Sequence, residues 1–68
     1  MSIYYVNKNA QSSGEHEVHT SGCPHPPDQS NRDFLGNYSL CFLAVQEARK
    51  KYPNVDGCAY CCPDCHTK

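Results

Sequence analysis

The sequence predicts a small α+β domain in which a two- or three-stranded antiparallel sheet packs on one helix and is stapled by zinc. Three observations lead to this fold class. The chain has 68 residues, so it forms a single domain over residues 1–68. Such a chain buries only about 60 % of the surface that its unfolded form exposes. It usually needs a cross-link, such as a metal ion or disulfides, besides its apolar core. Short β-type segments precede one amphipathic segment, and four of the six cysteines crowd between Cys58 and Cys65.

The strands are predicted from β-branched and aromatic residues and from alternation. Ile3–Val6 reads IYYV, which favours a strand, and a loop rich in Asn, Ser and Gly follows it. Glu15–His19 alternates in polarity and predicts a second strand that pairs with the first as a hairpin. A proline-rich loop after Cys23 cannot continue that strand. Arg32–Tyr38 predicts a short third strand with a bend at Gly36.

The helix is predicted over residues 40–52. Ser39 is a suitable N-cap, Tyr38 and Leu43 have the spacing of a hydrophobic staple, and Pro53 ends the helix. Residues at helical spacing form one apolar stripe, which indicates the face that packs on the sheet. The stripe comprises Cys41, Ala44, Val45, Ala48 and Tyr52. Cys41 is therefore predicted to be a buried, unreactive core residue.

The C-terminal cysteines have the spacing of metal ligands. Cys58 and Cys61 form one C-x-x-C motif, whose loop lets both thiolates reach one ion. Zinc takes four sulfur or nitrogen ligands in tetrahedral geometry, so two more must come from elsewhere. His19 and Cys23, at the end of the predicted hairpin, are the candidates for that second half. The predicted ligands are these four residues.

A second register is possible, because Cys62 and Cys65 form another C-x-x-C and His66 follows it. The first register is preferred for three reasons. Gly57 can take a positive φ in the turn before Cys58, adjacent side chains at positions 61 and 62 diverge, and Pro63 would sit inside the second knuckle. Cys62, Cys65 and His66 stay as alternate ligands.

Other interpretations of the cysteines fit the sequence less well. A disulfide network requires an oxidising compartment, and the N-terminus lacks the pattern of a secretory signal. A thioredoxin-like pair requires a C-x-x-C at the start of a helix, whereas this one follows the helix. The segment Cys62–His66 also matches the C-x-x-C-H motif of c-type haem attachment, but haem attachment requires export of the protein. His16 is interpreted as structural and His25 as solvated.

A set of residues spread over most of the chain carries a resemblance to a known family. These residues are Tyr4, Val6, Asn7, His19, Cys23, Ala44, Ala48, Gly57, Cys58, Cys61 and Pro63. Through them the chain resembles the small zinc-binding modules related to the metal-binding domain of the bacterial adaptive-response alkyl-phosphotriester repair protein. This resemblance implies a bacterial protein in which His19, Cys23, Cys58 and Cys61 bind zinc beside a small sheet and one helix. In the repair protein a zinc-bound cysteine accepts a methyl group from a DNA phosphotriester.

The function expected from these observations is a zinc-stabilised binding module with a protein partner and no catalytic activity. The net charge is -1, and the one run of basic residues is the short ARKK. Nucleic-acid binding depends on contacts between basic residues and phosphates, so these observations argue against it. No apolar run could span a membrane, and a cytoplasmic location is expected. One alternative is a thiolate that accepts alkyl groups or senses oxidants. Another is a nucleic-acid-binding accessory module, which rests on EARKK and the five tyrosines.

Overall fold

The computed structural model describes residues 1–24 and 29–67 of the chain. It contains one α-helix and one four-stranded sheet, so the α+β class is confirmed and the expected strand number of two or three is wrong. Residues 25–28, and with them the prediction for His25, lie outside the described part. The elements are β1 (Ser2–Asn7), β2 (His16–Thr20), β3 (Arg32–Tyr38), α1 (Cys41–Arg49) and β4 (Val55–Gly57), with short 3-10 turns at Gln29–Asn31 and Pro63–Cys65.

The sheet has the strand order β3-β1-β2-β4 and is mixed. β1 pairs antiparallel with β2, as the predicted hairpin requires, and antiparallel with β3 on its other side. β4 pairs parallel with β2, so the expectation of a purely antiparallel sheet is wrong. The helix lies between β2 and β4 in the chain and supplies the long connection that parallel neighbours need. With three residues, β4 is too short to carry a strand pattern of its own.

The predicted bend in the third strand corresponds to an irregularity in the ladder between β1 and β3. The register shifts between Tyr4 and Tyr5, opposite a segment in which Gly36 takes a φ of 139°. A Cβ atom at Gly36 would lie 3.0 Å from the Tyr38 ring. Glycine is therefore required here both by backbone conformation and by space.

The helix is shorter than predicted at both ends. It begins at Cys41, with Leu40 as an extended N-cap that makes no side-chain capping bond, so the prediction of Ser39 as the cap is wrong. The helix ends at Arg49, and the amides of Lys51 and Tyr52 both donate to the carbonyl of Ala48. Pro53 disfavours helical backbone at the residue before it, so the last predicted turn tightens and leaves the helical path.

The core lies between the helix and one face of the sheet. Val6 and Val18 from the sheet and Ala44 and Ala48 from the helix are completely buried. The predicted apolar stripe is confirmed for the packing face of the helix, since Val45 is buried and Tyr52 packs against the same cluster. Further core members are Tyr4, Leu35 and Cys62.

Cys41 does not fulfil its prediction. It is only partly buried, and it forms a disulfide with Cys65, which joins the first residue of the helix to the C-terminal 3-10 turn. The helical pattern correctly placed Cys41 beside the core but could not show that the C-terminal turn returns to the same place. In the described part of the chain, α1 is far too short to cross a membrane, and no other helix does so.

Candidate metal centre

The parallel pair of strands brings the two predicted half-sites to the same edge of the sheet. In the ladder, Val18 of β2 lies opposite Gly57 of β4, so His19 and Cys58 are the next residues along each strand. The Cys58 amide donates a hydrogen bond of 3.0 Å to the Val18 carbonyl and continues the ladder past the end of β4. Both strands end at the same edge because they run in the same direction. Cys23 and Cys61 follow in the turns beyond.

The ligand atoms of His19, Cys23, Cys58 and Cys61 all lie within 4.8 Å of one another. His19 Nδ1 is 3.4 Å from Cys23 Sγ and 3.8 Å from Cys61 Sγ, and the sulfurs of Cys23 and Cys58 are 3.8 Å apart. Tetrahedral zinc, with bonds of about 2.3 Å to sulfur and 2.0 Å to nitrogen, places two sulfurs about 3.8 Å apart and sulfur and nitrogen about 3.5 Å apart. These three distances lie close to the edges of such a tetrahedron, and the cluster of four could hold one ion of this size.

Backbone amides point at the sulfur atoms of both cysteines in the C-x-x-C motif. The Thr20 amide donates to Cys61 Sγ at 3.3 Å, and the Tyr60 amide donates to Cys58 Sγ at 3.4 Å. The Cys62 amide donates to the Cys58 carbonyl at 2.8 Å and closes the turn that contains the motif. Such bonds favour thiolate over thiol because they stabilise negative charge on sulfur. They also hold the two sulfurs in the orientation that a shared ion requires.

The site is largely shielded from solvent. His19, Cys23 and Cys58 are between 2 % and 5 % exposed, while Cys61 is partly exposed. Burial raises the pKa of the Cys61 thiol, and hydrogen bonds from Cys23 and the Thr20 amide oppose that rise. A buried thiolate needs a positive charge beside it, and a divalent cation supplies that charge. The donor set could therefore hold a metal ion, with Cys61 at its partly exposed edge.

The alternate ligands lie elsewhere. Cys62 is 1 % exposed and belongs to the apolar core, where burial raises its pKa and a hydrogen bond with the Cys61 side chain opposes that rise. Cys65 is disulfide-bonded to Cys41, so its sulfur is not available for a metal or for haem attachment in this state. His66 Nδ1 lies 2.9 Å from the Gly57 carbonyl and 3.3 Å from Asp56. These three residues are not part of the cluster of four.

Gly57 serves a purpose different from the predicted one. Among the described glycines only Gly14 and Gly36 have positive φ, so Gly57 does not supply a left-handed turn. A Cβ atom at position 57 would lie 2.8 Å from Cys65 Cβ and 2.9 Å from the Cys62 carbonyl oxygen. Glycine is needed there because the C-terminal turn packs directly against the backbone of β4.

Asp56, two residues before Cys58, carried no clear sequence signal. Asp56 is 2 % exposed, and its carboxylate accepts hydrogen bonds of 2.9 Å from both the amide and the hydroxyl of Thr67. This contact fastens the end of the described chain to β4. His16 stacks on Tyr52 with 3.9 Å between ring centroids, in keeping with a structural role. The D-G pair before Cys58 is typical of a turn, whereas Asp56 and Gly57 both lie in strand β4.

Comparison with known proteins yields no relative: no protein-family model, curated protein or solved structure matches this chain. The resemblance to the metal-binding domain of the alkyl-phosphotriester repair protein therefore stays a prediction. What the structure itself contributes is a buried His/Cys cluster that could hold a metal ion.

Proposed function

We propose that His19, Cys23, Cys58 and Cys61 bind one zinc ion, and that the chain is a zinc-stabilised module that binds another protein. The observation that carries the metal proposal is the close approach of the four ligand atoms, three of whose mutual distances lie near the edges of a tetrahedron around zinc. The arrangement also joins β2 to β4, which is the strand at one edge of the sheet. A metal at this place would stabilise the contact between distant parts of the chain.

Zinc is the metal that this donor set favours. Three thiolates and one imidazole are soft or borderline ligands, which suit zinc better than the oxygen-seeking ions of calcium or magnesium sites. Four protein ligands also complete a tetrahedral shell and leave no position open for a water or a substrate. A closed shell of this kind is typical of structural rather than catalytic zinc. The proposal is therefore of a binding module and not of an enzyme.

The metal proposal is tested by native mass spectrometry of purified protein. We expect one zinc per chain in the wild type and none in Cys58→Ser or Cys61→Ser. Cys62→Ser is the matched control, because this cysteine is adjacent to Cys61 but lies in the core. Cys62→Ala repeats the control without a buried hydroxyl. Full zinc retention in Cys58→Ser and Cys61→Ser, with loss in both position-62 variants, would move the site to the second C-x-x-C.

A protein partner is supported by apolar side chains that the fold leaves exposed near the start of the helix. Leu40 is 61 % exposed and Phe42 is 53 % exposed. Together with Pro63 they line a cavity of about 360 Å³. Apolar side chains that line a cavity at the surface are typical of interaction sites. The test is whether the protein still binds a partner after substitution. Binding that is lost in the double variant Leu40→Ser/Phe42→Ser but kept in Phe34→Ser, which changes an exposed residue of β3, would support this surface. Equal binding by the two variants would reject it.

Nucleic-acid binding has less support. Lys8 pairs with Asp33 at 3.8 Å, Lys50 pairs with Glu47 at 3.2 Å, and the Arg32 guanidinium lies 4.3 Å from the centre of the Tyr5 ring. These three positive charges have partners within the chain, and Lys50 is the one member of the ARKK run among them. Two of the five tyrosines serve the fold, since Tyr4 is buried and Tyr52 stacks on His16, whereas Tyr60 is 70 % exposed. Binding of single- or double-stranded oligonucleotides at low ionic strength would revive this alternative.

A second candidate function, alkyl acceptance, is favoured by one observation. Cys61 is the one member of the cluster that is partly exposed, so an alkylating agent could reach its sulfur. In this reaction the Cys61 thiolate attacks the alkyl carbon, an S–C bond forms, and the leaving group departs with its electron pair. Incubation of the metallated protein with methyl iodide, followed by peptide mass mapping, tests it. Fast and selective methylation of Cys61 supports this function, and uniformly slow methylation rejects it.

A further inference from the structure

The two ring nitrogens of His19 face different groups. Nδ1 lies 3.4 Å from Cys23 Sγ and 3.8 Å from Cys61 Sγ, so it points into the cluster. Nε2 lies 3.5 Å from a carboxylate oxygen of Glu17 and points away from the cluster. A neutral imidazole has one nitrogen that donates and one that accepts or binds metal. The surroundings thus distinguish the two nitrogens.

We propose that Glu17 is a positioning residue for the metal centre: it accepts the Nε2 proton of His19 and so directs the Nδ1 lone pair to the metal. This inference rests on the proposed metal site and specifies how its one nitrogen ligand is held. Histidines that bind metals commonly donate the other ring N–H to a carboxylate, which fixes the tautomer and the ring orientation. Glu17 is in the correct place for that contact in this chain.

The strand geometry explains why Glu17 and His19 are neighbours. They are separated by one residue on β2, so their side chains emerge from the same face of the sheet. That face is opposite to the one on which Val18 packs against the core. On β4 the alternation repeats, because Asp56 pairs with Glu17 in the ladder and Cys58 follows two residues later. A layer of carboxylates thus lies beside the layer of ligands.

The two carboxylates of this layer are engaged differently. Asp56 is almost completely buried, and it accepts hydrogen bonds from Thr67 and lies 3.3 Å from His66 Nδ1. Its contacts tie the C-terminal segment to the sheet. The Glu17 side chain is 24 % exposed, whereas that of His19 is 5 % exposed. Glu17 therefore covers the outer edge of the imidazole and contacts it from the solvent side.

The consequence for metal binding follows from the proposed hydrogen bond between Glu17 and Nε2 of His19. A carboxylate at Nε2 makes the imidazole a stronger electron donor at Nδ1 and prevents the ring from turning over. Loss of such a contact typically weakens metal binding about 10- to 100-fold. Glu17→Ala should therefore release metal to a competing chelator at a correspondingly lower chelator concentration. Glu17→Gln keeps an acceptor oxygen, so it should fall between Glu17→Ala and the wild type.

The experiment combines a zinc competition titration with ¹⁵N NMR of the His19 ring. The expected wild-type spectrum shows metal on Nδ1 and a proton on Nε2, and Glu17→Ala should lose protection of that proton from exchange with water. Glu47→Gln is the control, since this carboxylate pairs with Lys50 on the helix surface. If Glu17→Ala does not fold, the titration and spectrum of Glu17→Gln against Glu47→Gln decide the question.

The outcomes separate this inference from the metal proposal. A wild-type protein that holds no metal overturns both. A wild-type protein that binds zinc through Nε2 of His19 overturns the positioning role alone. That role is also overturned if metal affinity and ring-proton exchange in the Glu17 variants equal those of Glu47→Gln. Weaker zinc binding with a faster-exchanging Nε2 proton supports the role of Glu17.

Discussion

The amide of Cys58 donates a 3.0 Å hydrogen bond to the carbonyl of Val18, and this bond is where the two halves of the cluster meet. It continues the parallel ladder by one residue past β4 and places Cys58 beside His19. Both groups of this hydrogen bond belong to the backbone. The bond therefore holds the Cα atoms of His19 and Cys58 near each other independently of their side-chain conformations. The fold and the cluster are therefore coupled, which leads to the following predictions.

Removal of metal is expected to unfold the protein under reducing conditions. Apparent binding energies for structural zinc in small domains are about 10–16 kcal/mol, which exceeds the stability that a core of this size supplies. The measurement is circular dichroism during titration with a strong chelator in the presence of a thiol reductant. A helical signal that persists unchanged in excess chelator would contradict the coupling of metal and fold.

The disulfide between Cys41 and Cys65 is expected to add stability of its own. It closes a loop with a sequence separation of 24 residues, for which the chain-entropy estimate is about 3.5 kcal/mol. The double variant Cys41→Ala/Cys65→Ala should lose roughly this amount in urea unfolding of the metallated protein. A reductant should reproduce the loss in the wild type and have little further effect on the variant, whose zinc content should stay at that of the wild type.

The same pair tests the cytoplasmic expectation. Disulfides persist in oxidising compartments, while cytosolic thiols are mostly kept reduced. The thiols are therefore trapped with acid in intact cells and then alkylated. If the protein resides in the cytoplasm, it should carry alkyl groups at Cys41 and Cys65 without any added reductant. Protection of both cysteines until a reductant is added would place the protein in an oxidising compartment instead.

Gly57→Ala is expected to be destabilising, although its backbone conformation is open to any residue. The added methyl group would overlap Cys65 Cβ and the Cys62 carbonyl oxygen, and overpacking of this kind costs about 1–3 kcal/mol. Gly22→Ala is the matched control, because nothing lies within 4 Å of a Cβ atom there. Thermal unfolding of the two variants should show a lower midpoint for Gly57→Ala alone. Equal midpoints would show that the C-terminal turn can move away.

Metal binding is expected to weaken as the pH falls. The ligand thiols bind as thiolates, so a proton must leave each of them. Burial raises the pKa of Cys61, so protons still compete above about 8.5, the ordinary pKa of a thiol. Apparent zinc affinity, measured against a chelator of known pH dependence, should therefore keep rising from pH 6 to beyond that value. Cys62→Ala should show the same slope, because Cys62 is outside the cluster; a flat profile in the wild type would contradict thiolate ligation.

Local patterns in the sequence determined much of the fold. Alternation and β-branched residues predicted the hairpin of β1 and β2 and the third strand. Spacing at 3.6 residues predicted the face of α1 on which Ala44, Val45 and Ala48 are buried. The spacing of cysteines and histidine singled out the four residues that the structure brings together. Each of these signals spans only a few residues, so it can be recognised in the sequence without knowledge of the tertiary structure.

Tertiary structure alone decided the remaining features. β4 exists because Val55–Gly57 meets β2 in parallel, and a segment of three residues has no strand pattern to recognise. The Cys41–Cys65 bond and the need for glycine at position 57 both arise because the C-terminal turn returns to pack on β4 and the start of the helix. Such contacts join residues that are distant in sequence, and they depend on the packing of the whole chain rather than on local preference. The contact between Glu17 and His19 combines both levels, since alternation puts them on one face but only the closed cluster directs Nε2 to the carboxylate.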